Sequence, residues 1–150
     1  MDNQRGFSLI EMIVVVAILA ISTGIAIPVY IAMKPSIRLN GATRQIMGDL
    51  MWARMQAISQ NNEFKVFFLD NHRYLILDDD ITENGNIDDG ELIIKKDIHD
   101  EYYDVTFNST NEPIFHPRGN ASNLATITIT NFSGTKTVAV AITGQVKIKK

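Results

Sequence analysis

Residues 7–33 form an almost unbroken apolar run in which Glu11 is the one charged side chain. At 1.5 Å per residue, a helix of these 27 residues is about 40 Å long, enough to cross a hydrocarbon core of ~30 Å with some tilt. A helix apolar on every face needs an apolar surrounding, and the remainder of the chain has too little interior to provide it. A secretory signal fits less well, because its apolar region is about 7–15 residues long and is followed by an A-x-A-like cut. Beyond Lys34 the apolar positions thin to Ile37, Leu39, Ala42, Ile46, Leu50, Ala53 and Ala57. Their spacing, mostly three and four, predicts a helix with one stripe suited to lie on a sheet, while Arg38, Arg44 and Arg54 take other faces. Pro35 is expected to interrupt it, Gly41 and Gly48 to weaken it, and Asn61-Asn62 to end it. Trp52 lies off the stripe and is expected at the surface or at a contact with another protein.

From Glu63 the period changes. The runs 64–69, 73–77, 91–95, 103–107, 124–130, 136–142 and 145–149 are rich in β-favouring residues, and Asp70-Asn71-His72, Ser133-Gly134 and Thr143-Gly144 are turn signals between them. Strict alternation in Thr126–Thr130 and Val138–Ile142 gives each strand one inward and one outward face. The pattern predicts an α+β fold, a long N-terminal α-helix packed on an antiparallel β-sheet head. Its segments are a transmembrane stretch 7–33, an amphipathic continuation 34–62 and the β head 63–150.

Composition sharpens this division. The chain has 150 residues and no cysteine, which suits one domain and removes disulfides, thiolate metal sites and cysteine nucleophiles. Residues 34–150 carry 13 Lys+Arg and 15 Asp+Glu, a mildly acidic, water-soluble head behind a greasy tail. Charges flanking the run, Asp2 and Arg5 before it and Lys34 and Arg38 after it, orient it poorly across a membrane.

Glu11 lies one turn inside the apolar run, where an unpaired carboxylate costs several kcal/mol and calls for a partner. Snorkelling to the interface is the alternative, since the helix end is near. The context Gly6-Phe7-Ser8-Leu9-Ile10-Glu11, followed by Met12–Ile27 without a charge, resembles the N-terminus of type IV pilins and of the pseudopilins of type II secretion. That resemblance implies a leader, residues 1–6, removed by a prepilin peptidase that cuts after Gly6 and methylates Phe7. It further implies that Glu11 pairs with the free amine of Phe7 on a neighbouring subunit, an attraction stronger in low dielectric than in water. Pro28, of a kind common in pilins, is expected to kink or unwind residues 24–28, either for assembly or as a tolerated bend.

The head narrows the likeness. Phe115-His116-Pro117-Arg118-Gly119, an alternating strand, a glycine turn, another strand and Thr143-Gly144-Gln145-Val146-Lys147-Ile148 are similar to the C-terminal half of the GspH/FimT group of minor pseudopilins and minor pilins. An F-x-P-x-G turn and a terminal G-R-V or G-R-I strand recur there, and Gln145 replaces the arginine. The implied function is structural: a minor subunit of a type II secretion pseudopilus or type IV pilus. Its implied partners are other pilins or pseudopilins, the peptidase and the inner-membrane assembly platform. Its implied location is the bacterial inner membrane, single-pass with a periplasmic head, and then a periplasmic or surface filament.

Three further readings concern sites. Seven acids fall within Asp78–Glu91, and the calcium-loop template places Asp80, Thr82, Asn84, Asn86, Asp88 and Glu91 at ligand positions with Gly85 at the turn. Flanks that read as strands, and the weak ligand Thr82, leave a simply solvated acidic loop as the other reading of this Ca2+ candidate. After Glu112 there is no acid, and Arg118, Lys136, Lys147, Lys149 and Lys150 make the C-terminal end basic. In some FimT-like minor pilins such a surface binds DNA through phosphate contacts, whereas solvated strand ends are the plainer explanation. His72, His99 and His116 occupy separate loops without metal-ligand spacing, so zinc is not expected. No phosphate loop, nucleophile elbow or other catalytic constellation is present, and an enzyme is not expected. A single-span protein with a β domain and no filament role is the remaining alternative, and it predicts that residues 1–6 stay on the mature chain.

Overall fold

The computed structural model describes residues 7–79 and 93–149. The chain divides into two compact units, Met1–Lys34 and Pro35–Lys150. One helix, α1 (Leu9–Gln60), contributes to both. The Ser8 backbone carbonyl accepts the N–H groups of Glu11 (3.1 Å) and Met12 (3.2 Å), while Glu11 occupies the first turn, where the helix dipole favours an acid. The helix runs unbroken through residues 24–28, so the unwinding expected at Pro28 does not occur, and the expected breaker Pro35 also lies inside α1. Pro35 is buried in the second unit rather than ending the helix, and its carbonyl accepts the Asn131 side-chain amide at 2.8 Å.

α1 stops at Gln60 because Asn61 takes a left-handed conformation, φ 56°. The next N–H, that of Asn62, then reaches back to the Ala57 carbonyl at 3.2 Å, the closure by which helices satisfy their last carbonyls. The Asn62 side chain also donates to the buried Asp78 carboxylate at 2.6 Å.

Among the described residues nine strands follow: β1 (Glu63–Phe68), β2 (Arg73–Asp79), β3 (Ile93–Asp97), β4 (Thr106–Ser109), β5 (Ile114–Phe115), β6 (Ala121–Ser122), β7 (Thr126–Asn131), β8 (Gly134–Val140) and β9 (Val146–Lys149). They form two sheets, ordered β3-β2-β1-β5-β6 and β4-β7-β8-β9. The described pairings are antiparallel. The segment 103–107 is therefore mostly not strand: a short 3-10 turn, Ile98–Asp100, and further turns precede β4. Ala141 and Ile142 likewise fall outside β8, in the turn to β9.

The helical stripe does what its period demands. Leu39, Ala42, Ile46, Leu50, Ala53 and Ala57 are buried in one cluster with Phe64, Val66, Tyr74 and Ile76 of the first sheet and Phe107, Ile127, Ile129, Val138 and Val140 of the second. Alanines at three of the six helical positions let the backbone approach the sheets closely. Ile37 departs from the stripe and is 55% exposed. Thr43 joins it, satisfying its hydroxyl on the Leu39 carbonyl at 2.6 Å. Trp52 is half-buried against the core, edge-on to Phe64 with ring centroids 6.3 Å apart, so it caps the core rather than standing free.

Candidate functional site

In the first unit every described side chain is exposed. Ile10, Val14, Ile18, Leu19, Ile21 and Ile25 find no cover within the chain, and the helix is long and apolar enough to cross a membrane. The Thr23 hydroxyl donates to the Leu19 carbonyl at 2.7 Å, so it adds no unmet polar group to an apolar surface. Phe7 and Glu11 sit exposed at the front end. At the rear end the Lys34 ammonium lies 5.0 Å above the Tyr30 ring, a basic and aromatic pairing suited to a headgroup boundary. Gly6, the residue before the expected cut, lies outside the described residues.

Within the second unit, residues just past Lys34 are fixed to the head by a charged cluster. Arg38 forms a two-pronged pair with Asp104, Nε to Oδ1 at 2.5 Å and Nη2 to Oδ2 at 2.9 Å, and its guanidinium lies 4.6 Å from the Tyr103 ring centre. Hydrogen bonding from Arg38 is the largest influence on the Asp104 carboxyl and holds it below the usual carboxylate range, against the opposing effect of burial. Asn131 ties Asp104 (3.2 Å) to the Pro35 carbonyl. Nothing in the local sequence marks this cluster, since its members are far apart in the chain.

Arg54 does the same at the other end of the helical stripe. Its Nε donates to the Gly119 carbonyl at 2.8 Å and its Nη2 to the Thr143 carbonyl at 3.3 Å. The two turns singled out from the sequence thus meet. Gly119 has φ +79° and Gly144 φ +70°, and a Cβ on Gly144 would fall 2.0 Å from the Gly119 oxygen and 2.7 Å from Arg54 Nε. Both the handedness and the closeness require glycine there. His116, in the first of these turns, contacts Glu63 (Nδ1, 2.6 Å) and Ser122 (Nε2, 2.8 Å), so both ring nitrogens are spent on structure.

The basic C-terminal residues do not share one face. Lys136 pairs in register with buried Ile129, on the core side of its sheet, whereas Lys147 and Lys149 pair with Ala139 and Thr137 on the opposite side. Arg118 lies in the turn between β5 and β6, in the other sheet. Lys150 lies outside the described residues, as do the calcium-template positions Asp80, Thr82, Asn84, Asn86, Asp88 and Glu91. Two histidines read as separate from the sequence, His72 and His99, are brought face to face: their rings are 6° from parallel with centroids 4.3 Å apart.

A family profile described as type II transport protein GspH matches residues 42–145, and one described as the prokaryotic N-terminal methylation motif matches residues 1–27. Among solved structures, the type IV minor pilin FimU of Pseudomonas aeruginosa is similar with a TM-score of 0.59 and 17% identity, over 75% of this chain and 88% of that one. The minor pseudopilin EpsH from the type 2 secretion system of Vibrio cholerae is similar with a TM-score of 0.57 and 12% identity, over 75% of this chain and 96% of that one. At these identities the two structures establish a shared pilin-like fold. No curated protein sequence matches.

Proposed function

The chain belongs to the GspH family of type II transport proteins, and from that membership we propose that it is a minor subunit built into a filament through residues 7–33. The observation that carries this reading is the first unit itself, an apolar helix exposed on all sides with a single carboxylate in its first turn. Such a surface is stable only in lipid or against like helices. The methylation motif over residues 1–27 supports cleavage after Gly6 by a prepilin peptidase and methylation of Phe7. The new amine would then lie one helical turn from Glu11, and the carboxylate of an incoming subunit would pair with the amine of its neighbour. On this reading the protein resides in the inner membrane as a single-pass chain with its head in the periplasm before it enters the filament.

Glu11 also suits the N-terminus of its own helix, and one substitution series separates the two roles. Glu11→Gln keeps a polar group at the helix end and removes the charge; Glu11→Ala removes both. Filament incorporation, measured by shearing or cross-linking in cells, should fall about equally in both variants while membrane insertion stays intact. Full incorporation of Glu11→Gln would limit the residue to its helix-end role. Contact with DNA has less support, because the described basic residues divide between two faces of one sheet and a turn of the other. No catalytic step is proposed.

A further inference from the structure

We propose that His72, Asp97 and His99 form a binding site for a divalent transition-metal ion, with Zn2+ the best match to two imidazoles and a carboxylate. Each of the three offers a ligand atom within 4.8 Å of the others. The backbone holds them there. His72 lies in the turn between β1 and β2, and its carbonyl accepts the Ile98 N–H at 2.9 Å. Asp97 closes β3 opposite Arg73 and caps the 3-10 turn that carries His99, accepting the His99 N–H on Oδ1 at 2.8 Å. The preceding residue, Asn71, accepts the Phe107 N–H of β4 at 2.8 Å. Three segments of the head therefore fix the cluster.

The ring environments leave the right lone pairs. His99 Nε2 lies 2.9 Å from the Val105 carbonyl oxygen, which can only accept, so this nitrogen carries the proton and Nδ1 keeps its lone pair. His72 Nδ1 lies 2.9 Å from Asn71 Oδ1 and 3.1 Å from Asp70 Oδ1, which places the proton there and leaves the Nε2 lone pair for a metal, 3.8 Å from Asp97 Oδ2. An imidazole whose far N–H is held by a carbonyl or carboxylate is the arrangement found behind metal-bound histidines, where it fixes ring orientation and raises basicity. His116 is the internal contrast, since both of its nitrogens already have partners.

Parallel rings share no in-plane point, so binding turns one imidazole about its soft Cβ–Cγ bond at the expense of that ring's far N–H contact, while the other ring keeps its own. That turn draws the ligand atoms toward the ~3.3 Å separation set by tetrahedral Zn–N bonds of about 2.0 Å. All three side chains are half-buried, which leaves a solvent-facing position for water as fourth ligand.

The test is titration of the full-length chain, purified in detergent and stripped with chelator, with ZnCl2 in the presence of excess Ca2+. One Zn2+ per chain should bind, and the affinity should fall at least ~10-fold in His72→Gln, His99→Gln and Asp97→Asn, but not in His116→Gln. Should a variant fail to fold, 15N-edited spectra of the parent chain decide instead: Zn2+ should shift the ring signals of two histidines and leave the third in place. Failure of the parent chain to bind, equal binding by the His72 and His99 variants, or unmoved ring signals would overturn the site and leave the stacked pair a packing contact.

Discussion

Residues 9–34 and 35–60 belong to one helix, yet they use apolar side chains in opposite ways. In the first stretch Val14, Ile18 and Ile25 are uncovered; in the second Leu39, Ile46 and Leu50 are sealed under two sheets. The periodicity explains the contrast. An all-round apolar surface has no preferred face and needs an external apolar partner, whereas a stripe selects a single docking direction within its own domain. The two halves therefore answer to different forces: the head carries its own stability, and the anterior helix depends on what surrounds it.

The contrast can be broken at its strongest point by truncating one side chain on each side. Ile46→Ala should destabilise the head by about 2–5 kcal/mol, measured by denaturant unfolding of the full chain in detergent with Trp52 fluorescence as probe. Val14→Ala should leave that transition in place. Equal effects would mean that the two halves share one cooperative core. Gly144→Ala comes next, because a Cβ there meets the Gly119 oxygen at 2.0 Å on a left-handed backbone. The same unfolding curve should lose roughly 2–3 kcal/mol, and an unchanged midpoint would remove the junction of the two glycine turns from the account.

Acid sharpens the comparison further, since the ion pairs that matter lie in the head. Burial raises the Asp70 carboxyl, but hydrogen bonds from the His72 and Arg73 backbones and the Arg73 side chain outweigh it and hold the group at about 2. Asp104 is also depressed, chiefly by Arg38. A carboxyl lowered on folding stabilises the folded state fully above its unfolded value of about 4 and loses that contribution as pH falls through its folded value. Head stability should therefore decline below pH ~4, and Asp70→Asn and Asp104→Asn should each flatten the decline. A slope unchanged in both variants would contradict these assignments. The effect should be the smallest of the three, because Asp70 is only half-buried and its partner Arg73 is exposed.

Local signals carried much of this architecture. The apolar run, the stripe from Leu39 to Ala57, the helix end at Asn61 and the alternation of Thr126–Thr130 all depend on neighbouring residues, and all were readable. The division of the strands into two sheets was not, nor were the short β5 and β6, whose pairing with β1 and with each other is set by long-range register. Pro35 misled because a proline reads locally as a break, while in the fold it is buried within the helix. Arg38 with Asp104, Arg54 with the two glycine turns, and His72 with His99 were invisible for one reason: each joins segments separated by many residues, and spacing along the chain says nothing of them. The glycines of F-x-P-x-G and T-G were recognisable as turns, though not as partners.

The central claim is that the front of the anterior helix is an assembly element created by processing, and the mass of the mature N-terminus tests it most directly. Protein recovered from the membranes of cells with a prepilin peptidase should begin at Phe7 and carry one added methyl group on its amine. A mature chain still beginning at Met1 would contradict the account.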